Sequence, residues 1–178
     1  MESTDSIWKN ATSTHPLQVS NLSVKRSGSL IIKDVDFSIK QGEFVGLVGP
    51  NGSGKTTLIL SILGILKPFT GEVKIYGHEV NSKELHGRIA WVSQAAANLP
   101  SNIRLTVREL VKLGTLKGLG IDLLIRRSNA DEVNEAIDLV GLREYADTSI
   151  SKLSGGQRQR AVIARALASK AEFILLDE

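Results

Sequence analysis

Apolar and polar positions alternate over residues 17–24, with Leu17 and Val19, then Leu22 and Val24, on the apolar side. A second alternating run, 30–39, follows a Ser-Gly-Ser turn at 27–29. The two runs predict antiparallel strands of a sheet with one wet face. Residues 44–48 (FVGLV) form a short apolar run into Gly49, which predicts a strand. A helical pattern starts near Lys55 and ends before Lys67-Pro68. Residues 72–76, 88–93 and 173–176 read as further strands. The middle of the chain changes character. Val107, Leu110, Val111 and Gly114 share one helical face; Val133, Ala136, Ile137 and Val140 share another. A Gly-, Leu- and charge-rich stretch, 117–129, separates them. Residues of about 95–150 are thus expected to be a helical insertion between two strand-bearing parts. Residues 1–16 are polar, aperiodic and closed by Pro16, which predicts a flexible tail.

Composition narrows the classes. The chain has 178 residues, 42% hydrophobic and 23% charged, enough for one domain with a real core. It has no cysteine, so disulfides and thiolate metal sites are excluded. The longest apolar run, 58–66, contains Ser61 and Gly64 and falls short of the roughly 20 residues a membrane span needs. The polar, acidic start does not read as a secretory signal. A net charge of +3, spread along the chain, is too weak to argue for nucleic acid, and none is expected as a partner.

The candidate chemistry begins at GPNGSGKTT, comprising Gly49, Pro50, Asn51, Gly52, Ser53, Gly54, Lys55, Thr56 and Thr57. It fits G-x-x-x-x-G-K-[ST] between a predicted strand and a predicted helix, the context the motif needs. Glycines let the loop curl with its amides inward, and the helix N-terminus adds positive potential for phosphate oxygens. Lys55 is expected to neutralise the β- and γ-phosphates, Thr56 to bind Mg²⁺, and Thr57 to reach the α-phosphate. A plain glycine-rich turn is the competing account; the agreement of strand, loop and Lys-Thr pair outweighs it.

Two further segments follow from that loop. FILLDE ends a buried strand in Asp177 and Glu178. A phosphate-loop enzyme holds Mg²⁺ with such an Asp, so Asp177 is expected as a metal ligand. Glu178 points the other way along an extended backbone and could polarise an attacking water. LSGGQ, from Leu153 to Gln157, precedes a helical pattern. Ser154 and Gln157 are spaced as a capping box. That leaves Gly155 and Gly156 unexplained, because glycine costs about 1 kcal/mol in a helix relative to Ala. Their use would be to let a phosphate approach the helix end. Two separate phosphate-binding helix ends predict a head-to-tail dimer in which one copy covers the nucleotide of the other.

With these segments in order, the sequence resembles the ATP-binding-cassette ATPases. GPNGSGKT is similar to their Walker A, LSGGQ to their signature, FILLDE to their Walker B, and WVSQ, ending in Gln94, to their Q-loop. The likeness runs from Leu17 to Glu178. It implies an α/β P-loop NTPase (RecA-like) core with an N-terminal antiparallel β subdomain and a helical insertion. It implies ATP and Mg²⁺ as ligands, with two ATPs sandwiched in a homo- or heterodimer. Gln94 would touch Mg²⁺ or the attacking water and sense a membrane subunit. An aromatic residue near the first strand usually stacks on adenine in the family; here Arg26 or Lys25 takes that place, and a guanidinium can also stack on a π face. His15, His78 and His86 do not match the family's switch His, and their spacing suggests no metal site. The resemblance therefore implies that the chain covers the first two-thirds or so of a cassette.

Within the family, the absence of a heptad pattern argues against the DNA-repair type, and a single phosphate loop argues against fused translation factors. GEVKIYGHEV, RIAWVSQ, AAANLPSN, LTVRELVKLG and DLVGLREYADTSISKLSGGQRQR look like the zinc and manganese importers. Siderophore and cobalamin importers share much of LTVRELVKLG. The likeness implies integral membrane permease subunits, indirectly a solute-binding protein, and a place on the cytoplasmic face of the membrane. The competing expectations are a soluble ATPase of iron–sulfur assembly or translation, and a nucleotide-binding module without turnover.

Overall fold

The computed structural model describes residues 15–93, 104–116 and 130–177. They fall into two compact units, Met1–Leu85 and His86–Glu178.

The first unit is built on an antiparallel sheet of order β2-β1-β3-β4: β1 Leu17–Arg26, β2 Ser29–Ile39, β3 Thr70–Ile75 and β4 His78–Glu79. Both tight hairpins have two central residues at positive φ, Ser27-Gly28 and Tyr76-Gly77. That backbone twist matches the strands it joins. The change of phase between Val19 and Leu22 is a bulge, with Asn21 at φ 47°. It returns Leu22 and Val24 to the buried face that Leu17 and Val19 occupy. Asp36 Oδ1 accepts from the Asn21 N–H there, at 2.8 Å. Ser23 is buried yet satisfied: its hydroxyl donates to Asp34 Oδ1 and accepts from the Asp34 N–H. Helix α1, Lys55–Ile62, packs on β1 and β2 and buries Thr57, Ile59, Ser61 and Ile62. Gly64, at φ 70°, ends it.

The expected strand at 44–48 does not form. These residues belong to neither sheet, and Phe44 and Val48 are 93% and 90% exposed. An apolar run becomes a strand only where a sheet edge takes up its amides and carbonyls. Among the described residues no strand pairs with 44–48.

The second unit pairs β5, Ile89–Val92, in parallel with β6, Phe173–Leu176. Among the described residues three α-helices accompany them: α2 Val107–Lys112, α3 Ala130–Leu139 and α4 Gly155–Ala168. The expected helical faces are buried: Val107, Leu110 and Val111 on α2, and Val133, Ala136 and Ile137 on α3. They meet Ala161, Val162 and Ala164 of α4 in one core. Gly114 lies two residues past α2, in the 3₁₀ turn that continues it, against α4; a Cβ there would stand 1.9 Å from the Arg165 carbonyl oxygen. Thr106 caps α2 in a capping box with Glu109. Gly141, at φ 65°, follows α3, and Arg160 Nη1 donates to the Val140 carbonyl near that helix end. Of the expected insertion, 95–103 and 117–129 lie outside the described residues, as do residues 1–14 of the expected tail.

Candidate functional site

The glycine-rich loop of the first unit leads directly into α1, as expected, but residues 44–48 before it do not form the expected strand. Gly52 and Gly54 sit at φ 83° and 94°, a region that side chains with a Cβ rarely adopt. Gly49 has no positive φ; a Cβ on it would meet Ser53 Oγ at 2.8 Å, a contact that a turn of the serine hydroxymethyl relieves. The Ser53 N–H donates to the Pro50 carbonyl at 3.2 Å and closes the turn. Gly54 is the N-cap of α1, in a left-handed conformation with no side-chain cap. The N-cap residue therefore has no side chain to occupy the helix's N-terminal amides. Lys55 curls back over the loop, its Nζ donating to the carbonyls of Gly49 at 2.7 Å and Pro50 at 2.9 Å. These carbonyls hold the ammonium at the loop, where phosphate oxygens could replace them as partners. A cavity of about 390 Å³ adjoins it, walled by Ile31, Lys33, Leu47, Pro50 and Lys55 among others.

The threonines diverge. Thr56 is exposed, and Thr57 is 4% exposed inside the unit. Asn51 and Ser53 are exposed on the loop. Arg26 ends β1 at the exposed hairpin turn and does not line that cavity. Its neighbour Lys25 is engaged with Phe69, the Nζ lying 3.5 Å from the ring centroid.

In the second unit, Ser154 caps α4 through the expected capping box. The Ser154 N–H donates to Gln157 Oε1 at 2.8 Å, and Ser154 Oγ accepts from the Gln157 N–H at 3.3 Å. A Cβ on Gly155 or Gly156 would meet nothing within 4 Å. The fold leaves space above both glycines and does not itself require them. Asp177 follows β6 directly, its N–H donating to the Val92 carbonyl at 2.9 Å. The structure thus brings together residues 49–57 in one unit, and Ser154–Gln157 and Asp177 each on an element of the other. Gln94 and Glu178 lie outside the described residues.

Sequence reasoning missed one pair in the second unit. Arg88 and Glu172 flank the starts of β5 and β6 and form a two-pronged ion pair, Nε–Oε1 at 2.9 Å and Nη2–Oε2 at 2.8 Å. They lie 84 positions apart, so no local pattern could have joined them.

The residues fit a magnesium nucleotide. The loop offers backbone amides and an ammonium for phosphates, and Thr56 beside them is a hard oxygen donor of the kind Mg²⁺ takes. A family model, ABC transporter, matches residues 32–178. The chain belongs to this family. Among curated relatives, the "Probable metal transport system ATP-binding protein" of Chlamydia pneumoniae is 40% identical, over 85% of this chain and 61% of its own length. The zinc uptake system ATP-binding protein ZurA of Listeria monocytogenes is 35% identical, over 91% of this chain and 63% of its own. Among solved structures, cbiO1 of Clostridium perfringens, part of the ABC transporter complex cbiONQ, superposes with a TM-score of 0.77 at 28% identity, covering 93% of this chain and 66% of that one. The chain therefore spans about three-fifths of the length of the two curated relatives. As an ABC ATPase domain it has the P-loop NTPase fold, with the antiparallel sheet in its N-terminal part. Among the described residues no helix is long and apolar enough to cross a membrane.

Proposed function

We propose that this chain is the ATP-binding and hydrolysing part of an importer's ABC ATPase subunit, serving the uptake of a metal cation such as zinc or manganese. The observation that carries the nucleotide reading is the loop at 49–54: two left-handed glycines, an uncapped helix behind them, and the Lys55 ammonium held at the loop. Backbone amides of the loop bind phosphate oxygens, and Lys55 exchanges its two carbonyl partners for the β- and γ-phosphates. Thr56, Asp177 and Gln94 would hold Mg²⁺, which would supply positive charge to offset the negative charge developing on the transferred phosphoryl group. Glu178 orients and polarises the attacking water. Ser154, Gly155, Gly156 and Gln157 close over the nucleotide of a second ABC ATPase subunit, and closure drives the permease between its two facings. Arg26 lies against the base.

The metal substrate rests on the names of relatives: besides those above, a manganese transport system ATP-binding protein of Bacillus subtilis is 31% identical. A cobalamin import ATP-binding protein of Halobacterium salinarum, 38% identical over 91% of this chain, favours the second reading, a cobalamin or siderophore importer. The partners are a second ABC ATPase subunit, integral membrane permease subunits and, through them, a solute-binding protein, with the chain on the cytoplasmic face of the membrane.

Two variants and one uptake measurement test the proposal. Lys55→Ala is expected to lower ATP affinity by about a hundredfold or more, the loss of a charge-assisted contact worth roughly 3 kcal/mol. Glu178→Gln is expected to keep ATP binding and stop turnover. Wild-type turnover in the Glu178→Gln protein removes Glu178 from the role of base. In cells lacking the gene, zinc and manganese uptake should fall; intact metal uptake with lost cobalamin uptake selects the second reading.

A further inference from the structure

The β5–β6 pair has a register problem. Its strands read Ile89-Ala90-Trp91-Val92 and Phe173-Ile174-Leu175-Leu176. Every position is apolar, so a slip by one or two residues still sets apolar side chains opposite apolar side chains. Hydrophobic patterning specifies the register of such a ladder weakly. The ladder is also only four residues long and two strands wide among the described residues. Yet its exit carries Asp177. A slip of one residue would carry Asp177 about 3.3 Å along the strand and turn its side chain to the other face. Mg²⁺ accepts ligands only near 2.0–2.1 Å in near-octahedral geometry, so a displacement of that size removes the ligand.

What marks the register is at the entrance. Arg88 and Glu172, the residues immediately before the two strands, are each about three-quarters buried and joined two-pronged. The Arg88 carbonyl also accepts from the Glu172 N–H at 2.9 Å and the Phe173 N–H at 3.1 Å. A fork-to-fork pair has a single geometry, and a slipped ladder would break it while leaving both charges half out of water. We infer that Arg88 and Glu172 are positioning residues for the metal ligand: their ion pair sets the register that places Asp177 at the Mg²⁺ site. The inference rests on the reading of Asp177 as a Mg²⁺ ligand. It adds that the ligand's position is fixed from the far end of its strand, by residues that touch neither metal nor nucleotide.

The test compares Arg88→Gln, Glu172→Gln, the reversed pair Arg88→Glu/Glu172→Arg, and Asp177→Asn in the full chain. Three readouts are taken: affinity for a fluorescent ATP analogue in EDTA, Mn²⁺ affinity of the nucleotide complex by electron paramagnetic resonance, and hydrogen exchange at the Asp177 amide. Each single Arg88 or Glu172 variant is expected to keep metal-free nucleotide affinity within about twofold, weaken Mn²⁺ binding about tenfold or more, and speed exchange at Asp177. The reversed pair is expected to recover most of the Mn²⁺ affinity, which general damage to the fold would not. Unchanged Mn²⁺ binding in both single variants, or a folded reversed pair that recovers nothing, overturns the inference. Asp177→Asn separates the two layers. If it weakens Mn²⁺ binding and the Arg88 variants do not, only the positioning role falls. If it leaves Mn²⁺ binding unmoved, the metal role of Asp177 falls and takes the positioning role with it.

Discussion

Replacing Gly155 and Gly156 with alanine separates what the fold needs from what a ligand needs. Both occupy the first turn of α4, after the Ser154 cap, and neither has a positive φ. A methyl group on either meets no atom of the protein within 4 Å. Alanine there loses nothing in packing, and it gains in helix propensity and in a less floppy unfolded chain. Each gain source is worth up to about 1 kcal/mol at a helix interior, less at a first turn, so about 0.5–1 kcal/mol per site is expected. The double variant should be about 1–2 kcal/mol more stable, and each kcal/mol corresponds to roughly 2–4 °C in Tm for a chain of this size. Hydrolysis should move the other way. An N–H to phosphate-oxygen contact forms at about 2.7–3.0 Å, and a methyl over the helix end holds the phosphate beyond that. A tenfold or greater fall in turnover, about 1.4 kcal/mol of transition-state stabilisation, is the expected result. Urea denaturation and a steady-state ATPase assay on the full chain read both quantities. Higher stability with unchanged turnover refutes the phosphate role of these glycines. A loss of stability refutes the claim that the fold does not need them.

Gly114→Ala should do the opposite, because its Cβ would stand 1.9 Å from the Arg165 carbonyl oxygen; a loss of about 1–3 kcal/mol or more is expected in the same urea titration. Ser154→Ala removes the cap of α4 and should cost about 1 kcal/mol, read as a lower urea midpoint. Acid should weaken the helical unit through Asp138 and Asp147. The guanidinium of Arg143 holds the first below its usual 3.8, and that of Arg108 holds the second below it. Depressed carboxylate values mean that the contribution is complete above the unfolded value and lost as pH falls below about 4 through the folded values. Asp138→Asn/Asp147→Asn should therefore flatten the dependence of the urea midpoint on pH over that window, and an undiminished slope assigns it to other groups.

Much of this was legible because it is local. A phosphate loop is six residues of backbone geometry, and Gly52 and Gly54 stand where its turn takes positive φ. The Ser154–Gln157 capping box is a four-residue signal, and Thr106–Glu109 carries the same one. The phase change between Val19 and Leu22 was visible in the alternation and is realised as a bulge. Failures came where a partner decides. Residues 44–48 have the composition of a buried strand, but strand formation depends on a neighbouring edge that composition does not specify. Arg88 and Glu172 each look like ordinary surface charges in the sequence; only the parallel pairing of β5 with β6 makes them a pair. The aromatic partner of Lys25, Phe69, was hidden for the same reason, lying on the neighbouring strand's approach.

That parallel pairing also bears on the order in which the molecule is assembled. The hairpins of the first unit join strands a few residues apart and need little loop closure. The β5–β6 ladder joins positions 84 apart, so its closure entropy falls due before any of its short row of hydrogen bonds can form. The helices between the two strands bury their own core and shorten the effective loop as they fold. The strand bearing Asp177 should accordingly dock late, after α2, α3 and α4 have met. Core substitutions in those helices should slow folding, while substitutions in β6 should act mainly on the unfolding rate.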